Sequence, residues 1–203
     1  MDQFIINHCA AILLAAGAST RLGRPKQLLQ YNGKSLINDA IDAIEEAHLH
    51  PVITVLGANA SSIAPEINSK NVLIITNPGW QEGIASSIRI GVTTLQEKYP
   101  PCDGALVMVC DQPFMTGNVL RELILAQRQS GKPIAACSYD DVTGTPVLFH
   151  QSIFPELILL KGDKGAGNIL KKRFQDISIV PFPMGKFDID TTDDYQALKK
   201  PPI

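Results

Sequence analysis

The chain has 203 residues, of which 45% are hydrophobic and 19% charged, and its formal net charge is -2 at pH 7. A chain of this size can bury a sizeable core, and we expect a single domain over residues 1–203, with its core at 8–199 and a frayed tail at 200–203. The nearly balanced charge excludes the strongly basic class of nucleic-acid-binding proteins, and no apolar run reaches the length of a membrane span. We therefore expect neither a nucleic acid nor a membrane as a partner.

Short apolar runs alternate with helical patterns along the chain. Strands are predicted at 9–15, 51–57, 71–76, 104–110, 133–138, 145–149 and 177–181. Helices are predicted at 35–48, 84–97, 116–129, 151–159, 164–174 and 191–199. The segments between the first four strands are long enough for crossover helices, which favours parallel strands buried on both faces. Strands 133–138 and 145–149 are joined either by a hairpin or by a looser connection, so we predict a three-layer α/β/α sandwich with a mixed, mostly parallel sheet.

Ligands of such sheets bind outside the carboxyl ends of the strands, near the point where the strand order reverses. The residues that follow the first four predicted strands therefore carry most of the functional information. They are Gly17, Gly57, Asn77 and Asp111.

The block from Ile12 to Leu29 is the strongest signal, because an apolar strand leads into a glycine turn followed by Arg21 and Lys26. Backbone N–H groups at a strand end, together with two cations, form a site for a polyphosphate. The spacing matches neither a P-loop nor a dinucleotide-binding fingerprint. The alternative is a surface turn with two solvated cations; the length of the block favours a nucleoside triphosphate site.

Asp111 ends the apolar run 104–110 and is expected at the same sheet edge as Gly17. Mg²⁺ takes one or two carboxylates besides phosphate oxygens and waters, and Asp111 supplies the first. The alternative role of Asp111 is to cap the helix at 116–129. In the segment 187–195, Asp188 and Asp190 are expected on one face of an extended strand, and Asp190 is our choice as second metal ligand.

The last two acidic residues of that segment have a structural explanation. Thr191 or Thr192 is expected to cap the final helix, with Asp193 and Asp194 in its first turn, where the helix dipole favours acids.

The cysteines contain no C-x-x-C pair. Cys9, Cys110 and Cys137 lie in apolar runs and are expected to be buried thiols, which fits a reducing, cytoplasmic location. The first residues carry no basic region, so no signal peptide is expected.

The segments LAAGASTRLGRPK (14–26) and CDQP (110–113) resemble nucleotidyltransferases of the glycosyltransferase-A-like, or nucleotide-diphospho-sugar transferase, fold. The resemblance is greatest to the branch that acts on the molybdenum cofactor, which contains cytidylyltransferases and guanylyltransferases. It covers about residues 8 to 199. Four later patches match that branch: Asn77–Ser87, Gly144–Phe149, Gly162–Ala166 and Asp188–Thr191.

The resemblance implies that an acceptor phosphate attacks the α-phosphorus of a nucleoside triphosphate and releases pyrophosphate. The catalytic residues implied are Arg21, Lys26 and Asp111, with Asp111 and Asp190 binding Mg²⁺. The nucleotide-binding residues implied are Leu14, Ala15, Ala16, Gly17, Ser19, Gly23, Gly57, Asn77, Gly83 and Ser87. The acceptor-binding residues implied are Gly144, Pro146, Asp163 and Lys164. For Asp163 and Lys164, a helix N-cap followed by a solvated lysine is an equal alternative.

The resemblance also suggests the substrates, namely CTP, in preference to GTP, and molybdopterin, with a molybdoenzyme receiving the product. A methyl group at Ala16 would crowd a purine more than a pyrimidine, although one methyl group discriminates by only about 1–3 kcal/mol. Small residues at Gly57 and Ser87 are equally explained by close packing.

The chain departs from the branch at two positions expected to face the acceptor. Relatives usually carry Arg where this chain has Gly167, and often His where it has Thr145. Two alternatives therefore stay open: an enzyme that uses a sugar phosphate or alcohol phosphate, and a non-catalytic carrier of the cofactor. The missing dinucleotide fingerprint argues against a dinucleotide-dependent oxidoreductase.

Overall fold

The computed structural model describes residues 4–199, so the frayed tail predicted at 200–203 lies outside the described residues. The strands are β1 (Cys9–Ala15), β2 (Gln30–Tyr31), β3 (Lys34–Ser35), β4 (Val52–Leu56), β5 (Val72–Thr76), β6 (Gly104–Val109), β7 (Ile134–Tyr139), β8 (Val142–His150) and β9 (Ile177–Pro181). The helices are α1 (Leu36–Glu46), α2 (Ala60–Ile63), α3 (Ile84–Lys98), α4 (Gly117–Ser130), α5 (Phe154–Leu157), α6 (Gly167–Lys172) and α7 (Thr192–Leu198).

A seven-stranded sheet of order β5-β4-β1-β6-β8-β7-β9 forms the middle layer. The first four strands in this order are parallel to one another, β8 is antiparallel to both its neighbours, and β9 is parallel to β7. The sheet is therefore mixed and mostly parallel, as predicted. The connection between β7 and β8 is a hairpin whose two-residue turn is Asp140–Asp141.

Helices cover both faces of the sheet because its central strands are apolar on both sides. In β1, Leu13 packs on the side of α1 and α4, while Ile12 and Leu14 pack on the side of α3. The side chains of α5 and α6 belong to the second of these clusters. This arrangement is the predicted three-layer α/β/α sandwich.

The order of the strands reverses at β1. The chain runs from β1 to β4 and β5 on one side and then returns to place β6 on the other side of β1, with Leu14 beside Val109. The carboxyl ends of β1 and β6 therefore open onto the crevice in which such folds bind ligands.

Three local predictions were wrong. Residues 187–190 form no strand, so Asp188 and Asp190 are not placed by strand alternation. The helix predicted at 164–174 shortens to α6, since residues 162–166 form a bend and a turn. Cys9 is only partly buried, because it begins β1 near the edge of the core.

The short helix α2 and the hairpin of β2 and β3 were not predicted. The short hairpin of β2 and β3 turns at Asn32 and Gly33, which both have positive φ angles, 48° and 83°. Asn-Gly is the dipeptide that favours this kind of turn, so the signal was present in the sequence.

Within residues 4–199, no helix combines the length and the apolar composition needed to cross a lipid bilayer.

Candidate active site

The loop after β1 is held in a defined shape by its own hydrogen bonds. Leu22 N–H donates to Ser19 O at 3.0 Å, and Lys26 N–H donates to the Ser19 hydroxyl at 3.0 Å. Ser19 and Gly23 adopt positive φ angles of 54° and 66°, which bend the chain back on itself. Several N–H groups of this loop donate no hydrogen bond within the described part of the chain, among them those of Ala18, Thr20 and Arg21.

The buried side chain of Gln27 holds the start of this loop in place through hydrogen bonds. Its amide nitrogen donates to Ala15 O at 2.8 Å and to Gly17 O at 3.1 Å. The amide thus holds the last residue of β1 and the turn glycine at a fixed separation. Gln27 was not selected from the sequence, although it directly follows Lys26 and precedes the apolar pair Leu28 and Leu29.

Lys26 joins the two carboxylates selected as metal ligands. Its ammonium nitrogen Nζ lies 2.5 Å from Asp111 Oδ2 and 2.8 Å from Asp190 Oδ1. The side chains of Lys26 and Asp111 are only 15% and 17% exposed. Arg21, on the solvent side, contacts the second oxygen of Asp190 at 2.8 Å. The structure thus brings together the four charged residues that were selected from the sequence as catalytic or metal-binding.

The C-terminal segment carries Asp190 to this place. Ile189 N–H donates to Asp111 O at 3.0 Å, which attaches the segment to the end of β6. The Asp190 N–H donates to Asp194 Oδ2 at 3.1 Å. Asp194 also forms a capping box with Thr191 at the start of α7, which confirms Thr191 as one of the two predicted caps.

The charges perturb one another strongly. Burial alone would lower the pKa of Lys26, but the carboxylates of Asp111 and Asp190 outweigh it and raise that pKa above its usual range. The hydrogen bond from Lys26, together with its charge and that of Arg21, lowers the pKa of Asp190. Asp188 has a raised pKa because of burial and the nearby charge of Asp111.

The donor set fits a metal ion that arrives with a nucleotide better than one held by protein alone. Among residues 4–199, no three His, Cys, Asp or Glu side chains are grouped to hold a metal. Asp111 and Asp190 nevertheless direct carboxylate oxygens at one point, the Lys26 nitrogen. Mg²⁺ commonly binds through one or two carboxylates and takes its remaining ligands from phosphates and water.

A cavity of about 360 Å³ opens beside these charges, between the ends of β1 and β6 and the start of α3. Eight residues selected from the sequence line it: Leu14, Ala15, Ala16, Gly17, Lys26, Gly83, Ser87 and Asp111. Trp80 and Gln81 also line it and were not selected. Trp80 is the only tryptophan of the chain and lies on the loop after β5, a position that could have identified it.

Two of the selected nucleotide-binding residues lie behind the cavity wall. Asn77 is buried and donates to the hydroxyls of Ser86 and Ser87 at 2.8 and 3.0 Å, so it holds the loop against α3. A Cβ atom on Gly57 would lie 2.7 Å from Ala16 O and from Trp80 Cβ, so close packing requires a glycine here. Ser19 and Gly23 shape the loop and do not line the cavity.

A second cavity of about 250 Å³ adjoins the first, since Leu14 and Ile84 line both. Gly144, Asp163 and Lys164 line it, together with the two positions at which the chain departs from the family pattern, Thr145 and Gly167. Pro146, the fourth selected acceptor residue, is buried and does not line this cavity.

Gln112 connects the end of β6 with this second cavity. Its amide donates to Thr145 O at 3.3 Å and to Gly185 O at 2.8 Å, and its side chain is buried. The residue that follows Asp111 therefore fixes the wall of the second cavity relative to the charged cluster.

Comparison with known proteins identifies similar families and folds. A family model described as a MobA-like NTP transferase domain matches residues 11–177. Nicotine blue oxidoreductase from Paenarthrobacter nicotinovorans is 32% identical over 169 residues, which cover 80% of this chain and 81% of that protein.

Solved structures share the fold over nearly the whole chain. Rv0371c from Mycobacterium tuberculosis H37Rv is 30% identical with a TM-score of 0.81, over 94% of this chain and 97% of that one. A structure of Rv0371c in complex with manganese gives 28% identity and a TM-score of 0.76, over 95% and 98% of the two chains. Molybdopterin-guanine dinucleotide biosynthesis protein A from Archaeoglobus fulgidus has the same fold, with 19% identity and a TM-score of 0.66 over 94% and 96% of the two chains. The predicted fold class is confirmed.

Proposed function

The chain belongs to the family of MobA-like NTP transferase domains, and from this membership we propose that it transfers CMP from CTP to the phosphate of molybdopterin and releases pyrophosphate. The family supports a nucleotidyltransferase that uses a nucleoside triphosphate and a phosphorylated acceptor. The choice of CTP, Mg²⁺ and molybdopterin is the proposal.

One observation carries the proposal: Lys26 Nζ bridges Asp111 and Asp190 at the edge of a cavity bounded by the loop 16–25. Transfer to phosphorus depends on positioning and on stabilising charge, and it needs no nucleophilic side chain. The cluster meets both requirements. Its cations and carboxylates supply the charge, and they are positioned by three separate segments that hydrogen bonds hold together.

The reaction forms a bond between an acceptor phosphate oxygen and the α-phosphorus, and it breaks the bond from the α-phosphorus to the pyrophosphate oxygen. The N–H groups of Ala18, Thr20 and Arg21 would bind the triphosphate oxygens. Lys26 and Arg21 would stabilise the negative charge that grows on the departing pyrophosphate. Mg²⁺, when bound to Asp111 and Asp190, would shield the phosphate charges from the incoming acceptor.

Ala16 supports the choice of a pyrimidine. It lines the cavity, and its methyl group would crowd a purine more than a pyrimidine. One methyl group discriminates by only about 1–3 kcal/mol, so CTP is the preferred nucleotide and not the exclusive one.

The second cavity supports a separate acceptor site, because it adjoins the first and carries the charged pair Asp163 and Lys164. Lys164 would bind the acceptor phosphate, and Gly144 would allow close approach of the acceptor body. A molybdoenzyme would then receive the product.

A second candidate function, oxidation or reduction of an organic substrate, is suggested by the name of the 32% identical relative, nicotine blue oxidoreductase, although this chain lacks a dinucleotide-binding fingerprint. An oxidoreductase that used a nicotinamide cofactor would consume NADH or NADPH in the presence of its substrate and release no pyrophosphate from CTP.

The fluorescence of Trp80 provides a direct test, because it is the only tryptophan and it lines the cavity. CTP, GTP, ATP, UTP, NADH and NADPH are titrated with and without Mg²⁺. The proposal predicts that CTP with Mg²⁺ gives the tightest binding. Tighter binding of GTP would favour guanylyl transfer, and binding of NADH or NADPH alone would favour the oxidoreductase.

A further inference from the structure

We propose that the Lys26 ammonium holds the cation position between Asp111 and Asp190, so that a divalent metal enters the site with the nucleotide and not before it. This inference rests on the proposed function, because it concerns how the same site is loaded. It gives Lys26 a second role, as the residue that sets the order of binding.

The contacts of Lys26 are those expected of a resident cation. Its nitrogen donates to Asp111 Oδ2 at 2.5 Å and to Asp190 Oδ1 at 2.8 Å, so one positive charge serves two carboxylates. A metal ion bound to both aspartates would be attracted to the same oxygens. The ammonium and the metal ion therefore compete for one position.

The surroundings make this competition strong. The Lys26 and Asp111 side chains are mostly buried, and charge pairs shielded from water are screened less than exposed ones. The lysine is also held in place, since its N–H donates to the Ser19 hydroxyl at the start of a 3-10 turn at Lys26–Leu28. A metal ion alone must displace an ammonium that is fixed at both ends.

A triphosphate would change this balance. Lys26 lines the nucleotide cavity as well as contacting the two aspartates, so phosphate oxygens in the cavity would attract its ammonium. Once Lys26 moves to the phosphates, Asp111 and Asp190 lose the cation they share, and only Arg21 remains on Asp190. Asp111 and Asp190 would then be available to hold the divalent metal ion that accompanies the nucleotide, which would supply the lost positive charge.

A second lysine provides a matched control. Lys34 forms an ion pair with Asp42, but this pair is exposed and involves a single carboxylate. Its removal changes the net charge of the protein by the same amount as removal of Lys26. Any general electrostatic effect on metal binding will therefore appear in both variants.

The test is a titration with Mn²⁺ in the absence of nucleotide, in which electron paramagnetic resonance measures the free ion. The variants are Lys26→Met and the control Lys34→Met. We expect Lys26→Met to bind Mn²⁺ about 10-fold to 100-fold more tightly than the wild type, since hydrogen bonds to charged groups contribute on this scale. Lys34→Met should bind as the wild type does.

Lys26→Gln is a second variant for the case in which Lys26→Met does not fold. It removes the charge and keeps a hydrogen-bond donor, and it should also bind Mn²⁺ more tightly. Equal affinity for Mn²⁺ in the wild type and in the folded Lys26 variant would overturn the proposal. The titration contains no nucleotide, so its result is separate from whether the chain transfers CMP, which pyrophosphate release measures.

Discussion

The backbone N–H of Ile189 donates a 3.0 Å hydrogen bond to the carbonyl oxygen of Asp111. This bond attaches the segment before α7 to the end of β6, and it places Asp190 where it shares Lys26 with Asp111. The separation of the two proposed metal ligands is therefore set by main-chain contacts as well as by their side chains. Asp194 also helps to position Asp190, because its carboxylate accepts a 3.1 Å hydrogen bond from the Asp190 N–H.

Replacement of Gln27 by Met should weaken both the fold and nucleotide binding. The change removes the donor shared by Ala15 O and Gly17 O and leaves these carbonyls without that partner. We expect a loss of about 1–3 kcal/mol in the free energy of unfolding, measured by urea denaturation, and a higher KM for the nucleotide. The matched control is Gln30→Met, since Gln30 is exposed and, among the described residues, its side-chain amide donates only to Leu28 O, at 3.5 Å. Equal stability of the two variants would contradict the role assigned to Gln27.

Replacement of Gly83 by Ala should be destabilising, whereas the same change at Gly167 should not. Gly83 has a φ of 114°, and a Cβ there would lie 2.6 Å from Gly162 O. We expect Gly83→Ala to lower the free energy of unfolding by about 1–3 kcal/mol and to raise the KM for the nucleotide, because Gly83 lines the cavity.

Gly167 is the control for that variant. It begins α6, and no heavy atom lies within 4 Å of a Cβ built on it. Gly167→Ala should keep the wild-type stability or gain about 0.4–1 kcal/mol, because alanine reduces the entropy of the unfolded chain. A similar loss in thermal and urea unfolding for both variants would show that Gly83 is not specially constrained.

The contribution of Asp190 to stability should depend on pH. The hydrogen bond from Lys26 holds the native pKa of Asp190 below the ordinary value of 3.8, so the native state binds this proton less readily than the unfolded chain. Ionised Asp190 thus stabilises the native state above that value, and the contribution is lost as the pH falls through the lowered native pKa.

The variant Asp190→Asn tests this dependence. Urea denaturation should show a deficit relative to the wild type that is constant from about pH 7 to about pH 5 and that shrinks as the pH falls below about 4. A deficit that stays the same at all of these pH values would mean that the ion pair with Lys26 does not carry it.

The sequence alone was sufficient to predict the edge of the sheet at which the candidate site lies and the charged residues at that edge. β1 and β6 are continuous apolar runs, and the residues just beyond them, Gly17 and Asp111, meet because parallel strands end at one edge. Lys26 was identifiable because it follows closely in the same block. The family resemblance, carried by these motifs, was confirmed by the match to residues 11–177.

The remaining parts of the site depend on contacts between distant segments, which no local pattern encodes. The hydrogen bond between Ile189 and Asp111 joins the two ends of the site. The position of Asp190 was attributed to the alternation of side chains along a strand, but residues 187–190 form no strand. The hydrogen bonds from the Gln27 side chain to Ala15 O and Gly17 O exist only in the folded loop, so the local sequence does not reveal them.

The departures from the family pattern could be located but not interpreted from the sequence. Thr145 and Gly167 line the second cavity, which is the proposed acceptor site. A threonine and a glycine leave this cavity with one cationic lining residue, Lys164. This composition is compatible with a phosphorylated acceptor.

The central claim is that the cluster around Asp111 catalyses nucleotidyl transfer, and it is tested most directly by pyrophosphate release from CTP with molybdopterin and Mg²⁺. The comparison is between Asp111→Asn and Asp103→Asn, since Asp103 precedes β6 at the opposite end and accepts the N–H groups of Asn7 and His8 at 3.1 Å. We predict that Asp111→Asn lowers kcat about 10²-fold to 10³-fold while Asp103→Asn retains the wild-type rate. Wild-type turnover in a folded Asp111→Asn variant would contradict the account.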